Sequence, residues 1–351
     1  MKPRSAKELM YDNLVVKHYA GSIAYGTNLP SSDVDFRGIF CADPVNVRTP
    51  FFPIREANDS SEEDTKLYEA SHFCTLCADN NPNIVETLWV DEEDITDSTE
   101  AYQILRDNRE VFLSSKIGFT TTGYAMSQLK RIKGHNKWIN NPQPVDPPKQ
   151  TDFVSLVQWF GNDKRFKIDI TEFYDNHRLI PYGGNIFGLV QADRFSPFNG
   201  TTFSLNTLFE GERHEAGFPI AVVKYNKDEY ELAKDIHNNY WTWKENRNKK
   251  RSELEEQFGY DTKHAMHLVR LLRMGYEALD QGKIIVKRPD AAELLAIRNG
   301  SQTYEELVNY ADYMDEMVKE RYKTTSLQKT ANTKAIAKIL MDVQESVWYS
   351  K

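Results

Sequence analysis

Residues 21–37 read Gly-Ser-Ile-Ala-Tyr-Gly-Thr-Asn-Leu-Pro-Ser-Ser-Asp-Val-Asp-Phe-Arg, and they follow an apolar run of Leu14, Val15, Val16 and Tyr19. In a strand, residues two apart share a face. Asp33, Asp35 and Arg37 are therefore expected on one face, with Val34, Phe36 and Ile39 turned inward. At the strand rise the two carboxylates stand about 6.5–7 Å apart along the backbone. Side chains so placed converge on a divalent metal, and Mg²⁺ prefers carboxylate and phosphate oxygen. The Gly21-Ser22 turn suits the other half of such a site. Glycine lets backbone approach a ligand without a Cβ clash, and successive turn N–H groups make an anion-binding concavity. One end fits phosphate and the other fits Mg²⁺, which describes a site for a nucleoside triphosphate.

These residues resemble a known family. Gly21-Ser22 followed by Asp33-x-Asp35 looks like the signature of the DNA-polymerase-β-like nucleotidyltransferase superfamily. The longer string Gly-Ser-x-Ala-Tyr-Gly-Thr-x-x-Pro-x-Ser-Asp-x-Asp-x-Arg-Gly-Ile resembles a branch of predicted nucleotidyltransferases from bacteria and large phages, some encoded beside RNA ligases. Asn81-Pro82-Asn83 with Glu86 and Leu88, Lys263-His264-x-x-His267-x-x-Arg270-Leu271-Leu272, and Ile297-Arg298-x-Gly300 resemble further motifs of that branch. The resemblance implies a third carboxylate on a later strand. Asp64 is the best match, with Glu62, Glu63 and Glu69 as competitors; Glu69 reads better as a helix-start residue, since acids suit a first turn. The resemblance also implies roles. Asp33, Asp35 and Asp64 hold Mg²⁺ or Mn²⁺. Gly21, Ser22, Thr27, Arg37, Lys66, Lys263, His267 and Arg270 hold the nucleotide. The reaction moves an NMP from an NTP to an acceptor hydroxyl. RNA, as in tRNA end repair or modification, is the leading acceptor, and a protein or small molecule the alternative. A noncatalytic nucleotide-binding protein is less expected, because binding alone does not require the acidic pair.

With 351 residues, 40% hydrophobic and 27% charged, the chain can build a core of one large or two ordinary domains. No apolar run approaches the ~18 residues of a membrane span, and no apolar segment follows the charged N-terminus. Cys41, Cys74 and Cys77 make no disulfide framework, so a cytoplasmic setting is expected, the host's if a phage encodes the chain. The net charge of −8 argues against broad coating of nucleic acid. Two local basic patches remain, Lys130–Trp138 and Lys244–Arg251; solvated helix faces are the ordinary reading of both.

The expected fold is α+β: a polymerase-β-like core with a mixed sheet and helices over 1–113, then a helix and Pro-rich linker over 114–150. A β-rich insertion over 151–250 and a helical region over 251–351 follow. A helix over 114–133 starts after Ser114 or Ser115. On the helix at 261–280, Ala265, Leu268, Val269, Leu272, Tyr276 and Leu279 fall on one side and Lys263, His267 and Arg270 on the other. That basic stripe is expected to face the cleft. Thr303-x-x-Glu306 reads as a capping box. Cys74 and Cys77 share a helix face and pack as small hydrophobes rather than zinc ligands. Trp241 and Trp243 read as packing rather than base-stacking residues.

Overall fold

A computed structural model of the chain describes residues 4–61, 64–173, 177–191, 218–247 and 249–349, with the side chains of 249–252 excepted. Glu62 and Glu63 lie outside the described residues. The chain divides into two compact units, Met1–Ile139 with Lys250–Lys351, and Asn140–Lys249.

The first unit is α+β. After α1 (Ala6–Asp12) come β1 (Leu14–Tyr19), a short turn of helix α2 (Gly21–Ala24), β2 (Asp35–Phe40), α3 (Pro44–Arg48), β3 (Glu56–Asp59) and β4 (Asp64–Glu69). Then follow α4 (Ala70–Ala78), α5 (Pro82–Val85), β5 (Ile95–Ser98), α6 (Glu100–Asp107) and α7 (Lys116–Asn140). The sheet order is β3-β4-β2-β1-β5. β2 and β4 are parallel and every other pair is antiparallel. The crossover that a parallel pair needs is supplied by α3 and β3. β1 and β2 approach closely at Gly38, where a Cβ would stand 1.9 Å from the Val16 carbonyl oxygen.

Both faces of this sheet are covered. Ile39 and Cys41 enter the main core with Phe73, Cys74 and Cys77 of α4. Phe40, Ala42 and Leu67 join Leu9 and Met10 of α1 in a smaller cluster. Ile39 therefore shares the face of Asp35 and Arg37 rather than that of Phe36, as the two-residue period requires. Burial pushes the Cys74 thiol up to about 12 and raises Cys77 as well, as suits packed hydrophobes. Helix α7 starts just after Ser115, as expected, but continues seven residues past 133.

The chain returns to this unit with α9 (Lys249–Phe258), α10 (Thr262–Gln281), α11 (Ala291–Arg298), α12 (Tyr304–Thr324) and α13 (Thr333–Tyr349), the second unit having contributed α8 (Lys227–Glu245). Asp261 caps α10 by accepting from the His264 N–H, and the Thr303–Glu306 capping box opens α12. Helix α10 is buried around most of its circumference. Its first half packs Ala265, Leu268 and Leu272 against Leu307 and Met314 of α12. Its second half carries Met274, Ala278 and Leu279 into the main core.

The second unit has a four-stranded antiparallel sheet of β6 (Val154–Trp159), β7 (His177–Gly183), β8 (Ile186–Gln191) and β9 (Ala221–Tyr225), in the order β6-β9-β8-β7. Leu179, Phe187, Leu189, Ala221 and Val223 form its core with Ile170 and Phe173. The Pro-rich stretch is anchored to α8, since the Pro144 carbonyl accepts from Trp241 Nε1 at 2.9 Å. Trp243 lies under the Arg247 guanidinium, 4.4 Å away. Among the described residues no helix is long and apolar enough to cross a membrane.

Candidate active site

β1 leads into a turn that folds back on the start of β2, where the Ala20 N–H donates to the Asp35 carbonyl at 2.8 Å. Gly21 then takes a φ of +59°. A Cβ there would stand 2.9 Å from Asp35 Oδ2, so only glycine brings the turn this close to the carboxylate. The Thr27 N–H closes the loop on the Ser22 carbonyl at 2.8 Å. Ser22, the residue after Gly21, is half-buried. Thr27 is 1% exposed, and its hydroxyl has no hydrogen-bond partner among the described residues. Such burial sets it apart from the half-buried Gly21 and Ser22, with which it was expected to hold the nucleotide.

The parallel register sets Asp35 opposite Asp64, and neighbouring strands lie about 4.8 Å apart. Asp33 lies two residues before Asp35, in the loop ahead of β2 rather than in the strand, and is exposed. The Asp35 carboxyl is raised above the ordinary range, first by burial and then by Asp64 and Asp33, with Arg37 and Lys263 opposing. Two further carboxylates thus act on Asp35 at the mouth of a turn. An all-oxygen donor set whose members repel suits a hard divalent cation such as Mg²⁺. Glu69 lies elsewhere: it caps α4, accepting from the Ser71 N–H at 2.7 Å.

The expected cationic residues separate into three groups. Lys263 is half-buried and close enough to pull the Asp35 carboxyl down. Lys66 pairs with Glu56 of β3 at 2.9 Å. Arg37 donates to the Asn83 carbonyl at 2.7 Å and to Glu86 at 3.2 Å, tying α5 to β2. Glu86 also accepts from the Tyr25 hydroxyl at 2.7 Å.

Arg270 belongs to none of these surfaces. It is 4% exposed and lies 3.7 Å from the centroid of the Tyr25 ring. Its Nε has no hydrogen-bond partner among the described residues. The stripe Lys263–His267–Arg270 is therefore not a solvated basic face. His267 is lowered to about 3, first by burial and then by Arg270, Lys263, His264 and Arg298. A neutral imidazole thus sits among cations. His18 of β1, 2% exposed, is lowered to about 4, chiefly by burial.

Two loops and two strand starts therefore gather three acids, and the first half of α10 faces them with Lys263. Residues 7–141 match the RNA repair pathway DNA polymerase beta family. The matched region holds Gly21, Ser22, Asp33, Asp35, Arg37, Asp64 and Lys66, and ends before α10. It is a region similar to polymerase-β-like nucleotidyltransferases of RNA repair. One relative is an uncharacterized 38.9 kDa protein in the nrdC-mobD intergenic region of Enterobacteria phage T4. It is 30% identical over 133 residues, 34% of this chain and 39% of the relative. The chain thus spans well under half the length of this curated relative. No solved structure matches the chain.

Tyr25, Glu86 and Arg298 were absent from the residues expected at the site. All three stand inside quoted motifs, so the signal was present, but the motifs show no contacts. Tyr25 and Glu86 join the turn, β2 and α5, and Arg298 adds charge beside His267.

Proposed function

We propose that the first unit is a metal-dependent nucleotidyltransferase that moves an NMP from an NTP to an acceptor hydroxyl. The observation that carries this reading is the pairing of Asp35 with Asp64 beside Asp33 and the Gly21 turn. Asp33, Asp35 and Asp64 would hold Mg²⁺ or Mn²⁺, which supplies a charge clamp on the attacking and leaving oxygens. Gly21 and Ser22 hold the β- and γ-phosphates through turn N–H groups and the Ser22 hydroxyl. Asp64 accepts the proton of the acceptor hydroxyl. The hydroxyl oxygen bonds to the α-phosphorus, the bond from that phosphorus to the β-bridging oxygen breaks, and pyrophosphate departs with the electron pair. Lys263 balances charge at the phosphates. Arg37, engaged with Glu86, acts as a positioning residue, and Lys66 sits at the rim.

RNA is the acceptor best supported. The family that residues 7–141 match is one of RNA repair, and Lys130, Arg131, Lys133 and Lys137 are exposed along α7. The test is transfer from each of four α-labelled NTPs into cell RNA and protein fractions, with and without Mg²⁺. Label in RNA that requires metal and is lost in Asp33→Ala/Asp35→Ala is the expected result. Label confined to protein assigns the acceptor to the net-acidic chain's alternative. No label in any fraction, from protein shown to be folded, overturns the reading.

A further inference from the structure

A second group of chemistry-bearing side chains lies in the first unit, apart from the Asp33–Asp35–Asp64 cluster. It consists of His135 of α7, Glu255 of α9 and Asp261 at the N-cap of α10. One ligand atom from each lies within 4.8 Å of the other two. Glu255 is 3% exposed and Asp261 2%. We propose that these three residues bind one divalent transition-metal ion, with Zn²⁺ the best match, and that the ion clamps α7 and α9 to the first turn of α10. This inference does not depend on the nucleotidyl-transfer reading.

The geometry favours a shared ion. Asp261 Oδ1 accepts from the His264 N–H at 3.0 Å, which fixes the carboxylate and turns Oδ2 toward the imidazoles. Oδ2 lies 3.8 Å from His135 Nδ1. Two donors bound to one Zn²⁺ at about 2.0–2.2 Å stand about 3.4 Å apart in a tetrahedron and at most about 4.4 Å apart. A small closure of the trio therefore suffices. The donor set mixes imidazole nitrogen with carboxylate oxygen, which suits Zn²⁺ and its neighbours more than Mg²⁺. The all-oxygen cluster at Asp35 has the opposite preference. His264 Nε2 is 3.5 Å from the same Oδ2 and orients it from outside, the usual arrangement around a ligating carboxylate.

The site would also explain two motifs that nucleotide transfer leaves unused. His135 sits inside the basic stretch at 130–138, and His264 is the first histidine of Lys-His-x-x-His. Lys263, which acts on Asp35, is two residues from Asp261. An ion at Asp261 therefore fixes the helix end that carries Lys263.

The test uses the full chain with Asp33→Asn, Asp35→Asn and Asp64→Asn, so that the oxygen cluster no longer competes. The protein is stripped with chelator, loaded with Zn²⁺, passed over a desalting column and measured by elemental mass spectrometry, with circular dichroism to confirm folding. About one Zn²⁺ per chain is expected. Asp261→Asn keeps a cap of equal quality and should lose the ion, as should Glu255→Gln and His135→Ala. His264→Ala should weaken binding by about 10–100-fold without abolishing it. Co²⁺ in place of Zn²⁺ should give visible absorption that His135→Ala removes. A folded, stripped protein that takes up no Zn²⁺, or equal uptake in all the ligand variants, overturns the proposal and leaves only imidazole–carboxylate contacts at these residues.

Discussion

The two units use their sheets in opposite ways. In the first, β2 runs parallel to β4, so the starts of two strands lie side by side and Asp35 meets Asp64. In the second, every pair is antiparallel, and the register sets Leu189 against Ala221 and Phe187 against Val223. An antiparallel pair matches the start of one strand to the end of its neighbour. A parallel pair places two loop-to-strand junctions together, and such junctions tolerate exposed charge. The first sheet thus gathers acids at one edge of a packed core, while the second concentrates apolar side chains.

The largest effect that would sharpen this contrast is expected at Asp35. Asp35→Asn should lower transfer by about 10³-fold, the several kcal/mol that a clamped metal supplies. Its thermal stability without metal should hold or rise. The Asp35 carboxyl is raised in the folded state, so ionising it at neutral pH opposes folding. A variant that loses stability and activity together would make Asp35 a structural residue.

Leu189 tests the other side. It is fully buried in the second unit, and Leu189→Ala should cost about 2–5 kcal/mol in the unfolding of that unit. Transfer into a small acceptor, measured well below the melting transition, should be unchanged. A parallel loss of transfer would break the separation of roles.

The buried Nε of Arg270 has no hydrogen-bond partner among the described residues; if it donates to the NTP, Arg270→Met raises KM by about 10–100-fold, the worth of a charged hydrogen bond. Its stability should change little, because a buried charge replaced by an apolar chain of similar size is often neutral. An unchanged KM would confine Arg270 to stacking on Tyr25.

The smallest effect is in acid. His18 titrates near 6.5 when unfolded and near 4 when folded. As pH falls through that window the unfolded chain takes the proton first, so the first unit loses stability. His18→Gln should flatten the decline between pH 7 and pH 5 in urea unfolding. A decline of equal slope would place its origin elsewhere.

Much of this arrangement could be read locally. The Gly21 turn, the Asp33–Asp35 spacing, the capping box at Thr303 and the burial of Cys74 and Cys77 each depend on residues a few positions apart. The α+β class followed from the same stretches. What could not be read is what distant segments do to one another. Nothing within 261–280 distinguishes an arginine facing water from one facing Tyr25, because both give the same helical period. The buried Thr27 looks like any loop threonine. The Arg37–Glu86–Tyr25 connection joins three motifs whose spacing says nothing about contact. Ile39, by contrast, was grouped wrongly with Phe36 although it was legible, since its place beside Asp35 and Arg37 follows from counting by twos.

The first unit is assembled from two stretches of chain with the second unit encoded between them. Its main core joins Val16, Ile39 and Leu105 to Ala278, Ile339 and Val343. During synthesis at about 5–20 residues per second, roughly 5–20 s pass between the emergence of Ile139 and that of Lys250. For that interval the sheet bearing the acids has α1 and α4 on its faces but lacks the later helices that complete its main core. Lys263 is also still unmade. The main core of the first unit is therefore completed, and the full set of charges at the site brought together, only late in translation.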